Sequence, residues 1–223
     1  MTGIKDILHP KAVISRSFYG LKDHSALIGA LDQLVDNMLI PRGVFACDNL
    51  ITLGKSLGFL DDRALMGAFQ RHAGTSGERG AVWRLATLVW AARTALRVEG
   101  DFVECGCYKG VSARIISEVV GFADLPRHYY LYDLFEHDES MPHHHMLEHS
   151  ATLVDQVRER FADMPNVTIT QGRVPDSLAQ AAPDKIAFMH LDLNNAEAEV
   201  GALEVLFDRI SPGGVLILDD FGW

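Results

Sequence analysis

From residue 100 onward, short apolar runs alternate with helical stretches, and this alternation constrains the fold more than any other feature of the chain. The runs are DFVECG, HYYLYDLF, NVTITQG, KIAFMHLDL and GVLILDD. The helical stretches between them are SARIISEVVGF, ATLVDQVRERFADM, PDSLAQAA and AEAEVGALEVLFDRI, and SPGG is predicted to end the last helix. Alternation of this kind predicts parallel strands joined by right-handed crossovers, with helices on both faces of the sheet. The runs are nearly all apolar rather than alternating, as expected for strands that are covered on both faces. We therefore predict an α/β fold with a doubly wound, mostly parallel sheet over residues 99–223.

Residues 1–98 contain no convincing strand. Helical patches are predicted over residues 24–38, 61–72 and 78–97, and in the last of these Trp83, Thr87, Trp90 and Thr94 recur at helical spacing. We expect this segment to form an N-terminal helical cap and a dimerisation surface, and hence a homo-oligomer. Packing against the sheet explains its apolar stripes equally well.

Composition excludes several classes of protein. A net charge of −10 argues against binding to nucleic acid or to an anionic membrane, because both need clustered Lys and Arg. No apolar run approaches the roughly 20 residues that span a bilayer, and the first residues lack the pattern of a signal peptide. Three cysteines, Cys47, Cys105 and Cys107, argue against a disulfide framework and for the cytoplasm. A small neutral or cationic ligand suits this charge best.

Ligands of such sheets bind beyond the carboxyl ends of the strands. The first strand ends as VECGCYKGVSA, where Glu104, Gly106 and Gly110 frame a turn into a helix that begins near Ser112. The dinucleotide pattern would need a glycine at Tyr108, and Glu104 would repel a pyrophosphate but not a sulfonium. This favours S-adenosylmethionine over NAD; a glycine turn without a ligand is the alternative. Cys105 and Cys107 have poor spacing for a metal site.

The next two strand ends add candidate contacts to a nucleoside. Asp133 ends the second run, where a carboxylate can accept hydrogen bonds from a ribose diol. The alternative is a solvated aspartate at a strand end. Gly172, in TQGRVPDSL after the third run, would let backbone amides meet an adenine edge.

Three carboxylates follow the last two strands. Asp192 ends the fourth run, and Asp219 with Asp220 ends the fifth. We expect these strands to be neighbours, so the carboxylates would repel one another unless a cation joins them. Oxygen ligands suit a hard cation such as Mg²⁺; alternatively, one Asp caps a helix and another faces water. Asn194, with Glu197 three residues on, resembles the cap of the next helix.

In FVECGCYKGVSA, YLYDLFE, QGRVPDSL, HLDLNNAEAEVGALEVLFDRISPGG and VLILDDFGW, the sequence resembles the macrocin O-methyltransferase family of class I S-adenosylmethionine-dependent enzymes. The resemblance implies a Rossmann-like domain that methylates a hydroxyl of a sugar or glycosylated natural product, with a sugar diol as the small-molecule acceptor and a divalent cation as assistant. The methyl-donor site would comprise Glu104, Gly106, Tyr108, Gly110, Ser112, Asp133, Gly172 and Arg173. The metal ligands would be Asp192, Asp219 and Asp220.

Two departures from the family pattern concern catalysis. Members often carry an aspartate where this chain has Asn194 and an aromatic residue where it has Ala196. The candidates for proton transfer are therefore Asp192 and the loop histidines His143 and His144 in MPHHHMLEH, since histidine has a suitable pKa. His190 lies within a strand, and we expect it to be structural.

The chain stops after its fifth strand, where class I methyltransferases continue with a helix and an antiparallel strand pair. We therefore expect the C-terminal strands to be missing. Two other functions stay open: a methyltransferase-like domain that binds without catalysis, and an NAD-type oxidoreductase, which the turn after the first strand disfavours.

Overall fold

The computed structural model describes residues 8–9, 12–15, 17–38, 44–137, 146–219 and 221. The chain divides into two units, Met1–Thr87 and Leu88–Trp223. The predicted boundary at residue 98, and the roles of cap and dimerisation surface, remain predictions. Among the residues described, no helix has both the length and the apolar character needed to cross a membrane.

The N-terminal unit contains a sheet that the sequence analysis did not predict. Its strands are β1 (Leu8–His9), β2 (Ala12–Ile14), β3 (Phe45–Cys47) and β4 (Leu50–Thr52), hydrogen-bonded in the order β1-β2-β3-β4. The expectation of a segment without strands was therefore wrong. Strands of two or three residues are too short to display an alternating pattern, so their pairing is decided by tertiary contacts.

The helices of this unit follow the predicted patches. Helix α1 spans His24–Asp36, and α2 spans Arg63–His72. The third patch forms two helices, α3 (Ser76–Gly80) and α4 (Val82–Ala95), the second of which contains the boundary between the units. Each of the first three helices begins at a side-chain cap, namely Asp23, Asp62 and Thr75.

The C-terminal unit has the predicted doubly wound α/β architecture. Its strands are β5 (Asp101–Cys105), β6 (Tyr129–Asp133), β7 (Val167–Gln171), β8 (Ile186–Leu191) and β9 (Ile210–Leu218). All pair in parallel, in the order β7-β6-β5-β8-β9. Besides the end of α4, the described helices of this unit are α5 (Val111–Val120), α6 (Leu153–Arg160) and α7 (Ala196–Leu206). Each of the first four apolar runs contains one strand, the fifth run contains the end of β9, and the predicted neighbours β8 and β9 are paired.

Two local boundaries differ from the prediction. The stretch PDSLAQAA forms only a 3₁₀ turn over Asp176–Ala179. The SPGG segment lies inside β9, which begins at Ile210, because α7 ends at Leu206 and a 3₁₀ turn over Phe207–Arg209 follows it. The predicted absence of further C-terminal strands remains untested.

Aromatic packing fixes the central strands. The ring of Phe102 on β5 lies 5.1 Å from the ring of Phe122 and 5.1 Å from that of Phe188 on β8, measured between centroids, and all three side chains are fully buried. From β5, the chain adds β6 and β7 on one side of the sheet and then β8 and β9 on the other, so the topological switch point lies between β5 and β8. Ligands of open α/β sheets bind at such a switch point. The buried rings therefore pack the two central strands together, and a ligand is expected at the carboxyl edge of these strands.

Candidate functional site

A cavity of about 410 Å³ lies at the carboxyl edge of the C-terminal sheet, within the range of small-molecule sites. Loops that follow β5, β6, β7 and β8 form its walls. It brings together six of the predicted site residues, namely Gly106, Tyr108, Asp133, Gly172, Arg173 and Asp192. These residues come from four separate strand ends, so only the parallel topology makes them neighbours.

The turn after β5 forms one wall of the cavity. Gly106 has a φ of 89° and Tyr108 a φ of 47°, both in the left-handed region. Gly110 also has a positive φ, but a Cβ there would meet the Phe161 ring at 2.9 Å, next to the end of α6. Gly110 does not line the cavity. Its lack of a side chain instead allows close packing against Phe161.

Asp133 anchors the same turn from β6. Its Oδ2 accepts a hydrogen bond from the backbone N–H of Tyr108 at 2.6 Å, and its Oδ1 accepts one from the N–H of Phe135 at 2.7 Å. Burial raises the pKa of the Asp133 carboxyl above its ordinary value, although these two hydrogen bonds act in the opposite direction. A carboxylate has about four acceptor positions, so about two remain for a ligand in the cavity.

Glu104 and Ser112 lie behind the cavity lining rather than in it. Glu104 is only 1% exposed and accepts hydrogen bonds from Ser112 Oγ at 2.6 Å and from the Tyr129 hydroxyl at 3.0 Å. These bonds connect β5 to α5 and to β6. The geometry therefore gives both residues a supporting position, and their predicted part in donor binding remains a prediction.

A group of potential metal ligands lies at the ends of β8 and β9. One ligand atom each of His190, Asp192 and Asp219 lies within 4.8 Å of the other two. The backbone explains the convergence, because the N–H of Asp192 donates to the carbonyl of Cys105 and that of Asp219 to the carbonyl of Leu191. Each aspartate thus extends the strand ladder by one residue. Asp220, the third predicted ligand, lies outside the described residues.

His190 is the member of this group that the sequence analysis assigned to a structural role. It is 2% exposed, and its Nε2 has no hydrogen-bond partner. Its proximity to Asp192 had a signal in the sequence, since residues two apart in a strand point to the same face. The burial of an imidazole beside two carboxylates was visible only in the structure.

Asn194 does not cap α7. The cap is Asn195, whose extended backbone (φ −149°, ψ 107°) lets its Oδ1 accept from the N–H of Ala198 at 3.0 Å. Asn194 has a φ of 52°, a left-handed conformation that is unsuitable for a cap, and its amide donates to Asp192 Oδ1 at 3.4 Å. The predicted cap was thus one residue too early, and Asn194 belongs to the surroundings of Asp192.

The loop after β6 contains the predicted histidines. His143 and His144 lie outside the described residues, whereas Met146 and His149, which follow them, line the cavity. Glu148 accepts a hydrogen bond from the hydroxyl of Tyr108, which connects this loop to the turn after β5. No pattern in the sequence predicts this link between the two loops.

Cys105 and Cys107 are buried free thiols. Burial raises the pKa of both thiols, and the nearby carboxylates of Glu104 and Asp133 raise it further. Because the thiolate is the form that binds metal, these cysteines offer poor ligands, in agreement with their unfavourable spacing.

Comparisons with known proteins identify relatives of the chain. The model of the macrocin-O-methyltransferase (TylF) family matches residues 81–223. A curated relative, the 8-demethyl-8-(2,3-dimethoxy-alpha-L-rhamnosyl)-tetracenomycin-C 4'-O-methyltransferase of Streptomyces olivaceus, is 32% identical over 159 residues, which are 62% of this chain and 60% of the relative. The chain thus spans less than two thirds of that relative's length.

Two solved structures resemble the fold. The O-methyltransferase NovP aligns over 63% of this chain and 65% of its own, with 22% identity and a TM-score of 0.54. The calicheamicin methyltransferase CalS11 aligns over 100% of this chain and 83% of its own, with 15% identity and a TM-score of 0.53. Because both identities are below 25%, the likeness establishes the fold alone, which is that of class I methyltransferases.

Proposed function

The chain belongs to the macrocin O-methyltransferase family, and from this premise we propose that it transfers the methyl group of S-adenosylmethionine to a hydroxyl of a sugar or glycosylated natural product. The name of the curated relative describes a 4'-O-methylation of a rhamnosyl compound, which supports a sugar acceptor. The observation that carries the proposal is the cavity itself. It is lined by Asp133 from β6 and by Asp192, the neighbour of Asp219, after β8.

The donor would occupy the part of the cavity next to Asp133. The acceptor positions that remain on this carboxylate suit the two hydroxyls of a ribose. Gly106 and Tyr108 would lie beside the methionine portion, and Gly172 and Arg173, which follow β7, would lie beside the adenine. The volume of about 410 Å³ is compatible with such a ligand.

Asp192 and Asp219 would hold a divalent cation such as Mg²⁺, and we propose Asp220 as a further ligand. Carboxylates this close repel each other unless a positive charge lies between them, so the donor set fits a cation. When bound, the cation would supply positive charge that orients an acceptor hydroxyl and lowers its pKa.

The protein's own contribution to methyl transfer would be positioning and removal of a proton. A new C–O bond forms as the methyl C–S bond breaks, the bonding electron pair stays on sulfur, and the hydroxyl proton must leave. In-line geometry is the main requirement of such a reaction. Asn194 cannot accept this proton at neutral pH, so the proposed acceptors are Asp192 and the loop histidines His143 and His144.

We also propose that the protein is cytoplasmic and forms a homo-oligomer. All three cysteines are free and buried, as is usual in a reducing compartment. The proposal of a homo-oligomer is based on the apolar helical stripes of residues 1–98. Sedimentation analysis of the purified protein tests this proposal.

The activity is tested by following transfer of a labelled methyl group from S-adenosylmethionine to a panel of diol-bearing sugars and glycosides. The proposal expects transfer to at least one acceptor, stimulated by Mg²⁺ and reduced by a chelator. A folded protein that binds S-adenosylhomocysteine but methylates no acceptor would instead be a binding domain without catalysis. Transfer that a chelator leaves unchanged would remove the cation from the proposal.

A further inference from the structure

Glu104 and His190 form a buried pair across the two central strands. They are register partners of β5 and β8, so their side chains lie on the same face of the sheet. His190 Nδ1 lies 3.1 Å from Glu104 Oε1, and the two residues are 2% and 1% exposed. The pair lies next to the cavity that the proposed function uses, but the function as proposed assigns it no task.

The other partners of Glu104 fix the orientation of the imidazole. The hydroxyls of Ser112 and Tyr129 both donate to the Glu104 carboxylate. An ionised carboxylate only accepts, so Nδ1 of His190 carries the proton and donates it to Glu104. In the neutral ring, Nε2 then has a lone pair and no hydrogen. This atom is buried and has no hydrogen-bond partner, which is costly for a polar atom unless it has a ligand.

The neighbours of His190 indicate what its Nε2 lone pair could bind. His190 forms a group with Asp192 and Asp219 in which one ligand atom of each lies within 4.8 Å of the others. Nδ1 is occupied by Glu104, so Nε2 is the atom that His190 can offer to this group. A histidine that binds metal through one nitrogen usually donates its other N–H to a carboxylate, and the Glu104–His190 pair has this arrangement.

We propose that His190 Nε2 is a metal ligand together with Asp192 and Asp219, and that Glu104 is the positioning residue that holds its ring. The inference rests on the proposed function, since it concerns the cation proposed there. A nitrogen donor changes the expected metal. Imidazole suits transition metals, whereas Mg²⁺ is bound mainly through oxygen. The site should therefore bind Co²⁺ or Ni²⁺ more tightly than Mg²⁺, and Mn²⁺, which carboxylates also suit, can serve as a spectroscopic probe.

The test uses Mn²⁺ as the probe and needs no methyl acceptor. Pulsed electron paramagnetic resonance of the protein loaded with MnCl₂ should show ¹⁴N coupling from a directly bound imidazole. Replacement of histidine by ¹⁵N-histidine in the unmutated chain should convert this signal to a ¹⁵N coupling, which requires no variant to fold. His190→Gln should abolish the coupling, while His128→Gln, at an exposed histidine of the same unit, should retain it.

Binding titrations with MnCl₂ separate the ligand from its positioning residue. Glu104→Gln should retain the ¹⁴N coupling but weaken Mn²⁺ affinity by roughly 10- to 100-fold, and His190→Gln should weaken it at least as much. Mn²⁺ binding without nitrogen coupling, or coupling that persists in His190→Gln, would overturn the assignment of His190 and leave the proposed cation in place. Failure of the folded, unmutated chain to bind Mn²⁺ would overturn the proposed cation as well.

Discussion

A Cβ atom added to Gly106 would lie 1.8 Å from the carbonyl oxygen of Asp192. The turn after β5 is therefore in direct main-chain contact with the segment after β8. Because Gly106 also has a φ of 89°, no other residue fits without moving one of these two segments. The proposed donor side and the proposed cation side of the cavity meet at this point.

Gly106→Ala should lower the free energy of unfolding by roughly 3 kcal/mol or more, because it adds a main-chain clash to the strain of a positive φ. Gly121→Ala is the matched control, since Gly121 has a φ of 66° but a Cβ there meets nothing within 4 Å. Its cost should be about 1 kcal/mol. Urea unfolding of both variants measures the difference, and equal losses would contradict the close contact.

Asp133→Asn should weaken S-adenosylhomocysteine binding by at least about tenfold, since hydrogen bonds to a charged acceptor contribute about 1.5–3 kcal/mol. Isothermal titration calorimetry measures the affinity, and a thermal melt checks that the variant is folded. Asp155→Asn is the control, because the side chain of Asp155 is 73% exposed. Unchanged affinity in a folded Asp133→Asn protein would remove the ribose role.

Affinity for S-adenosylhomocysteine should fall on acidification at a higher pH than an ordinary aspartate would cause. Burial raises the pKa of Asp133, and the protonated carboxyl loses acceptor capacity, so binding is strong above the raised pKa and weakens as pH falls through it. His149 and Glu104 are the charged neighbours that also act on this group. Titrations of the unmutated chain and of Asp133→Asn at several pH values isolate its contribution, because the variant should lack this decline. Parallel pH profiles for the two proteins would exclude Asp133 as the cause.

Asp219→Asn should abolish methyl transfer while leaving donor affinity within about threefold, because Asp219 is a proposed cation ligand that lies beside Asp192. Its cation affinity should fall by at least about tenfold, since even residues that only orient a metal ligand have effects of that size. Asp208→Asn, at an exposed aspartate of the same unit, is the control for both assays. Normal turnover by Asp219→Asn would show that Asp219 is not a ligand of a catalytic cation.

The sequence predicted the C-terminal sheet well because its strands are five to nine residues long and nearly all apolar. Strand ends could then be located within about a residue, and parallel topology brought Asp133 and Asp192 to one edge. The strands β1 to β4 have only two or three residues each. At that length, local pattern carries little information, and the helical patches around them dominated the prediction.

The finer errors at the site have one physical origin, which is that side-chain direction depends on backbone dihedrals. Asn194 and Asn195 are chemically identical, and only the left-handed φ of the first decides which of them caps α7. Glu104 was correctly located at the strand end. The partner that its side chain meets, however, depends on the strand register, which places Glu104 opposite His190. Register between distant strands is not encoded in any local motif.

Calorimetric titration of S-adenosylhomocysteine into the protein, first with Mg²⁺ and then with excess chelator, tests whether the cavity binds the methyl donor independently of the cation. Micromolar binding, about −8 kcal/mol, is expected under both conditions, because the proposed donor position is beside Asp133 and the proposed cation position is at Asp192 and Asp219. Absence of binding by the folded protein under both conditions would contradict the assignment of the cavity to the methyl donor.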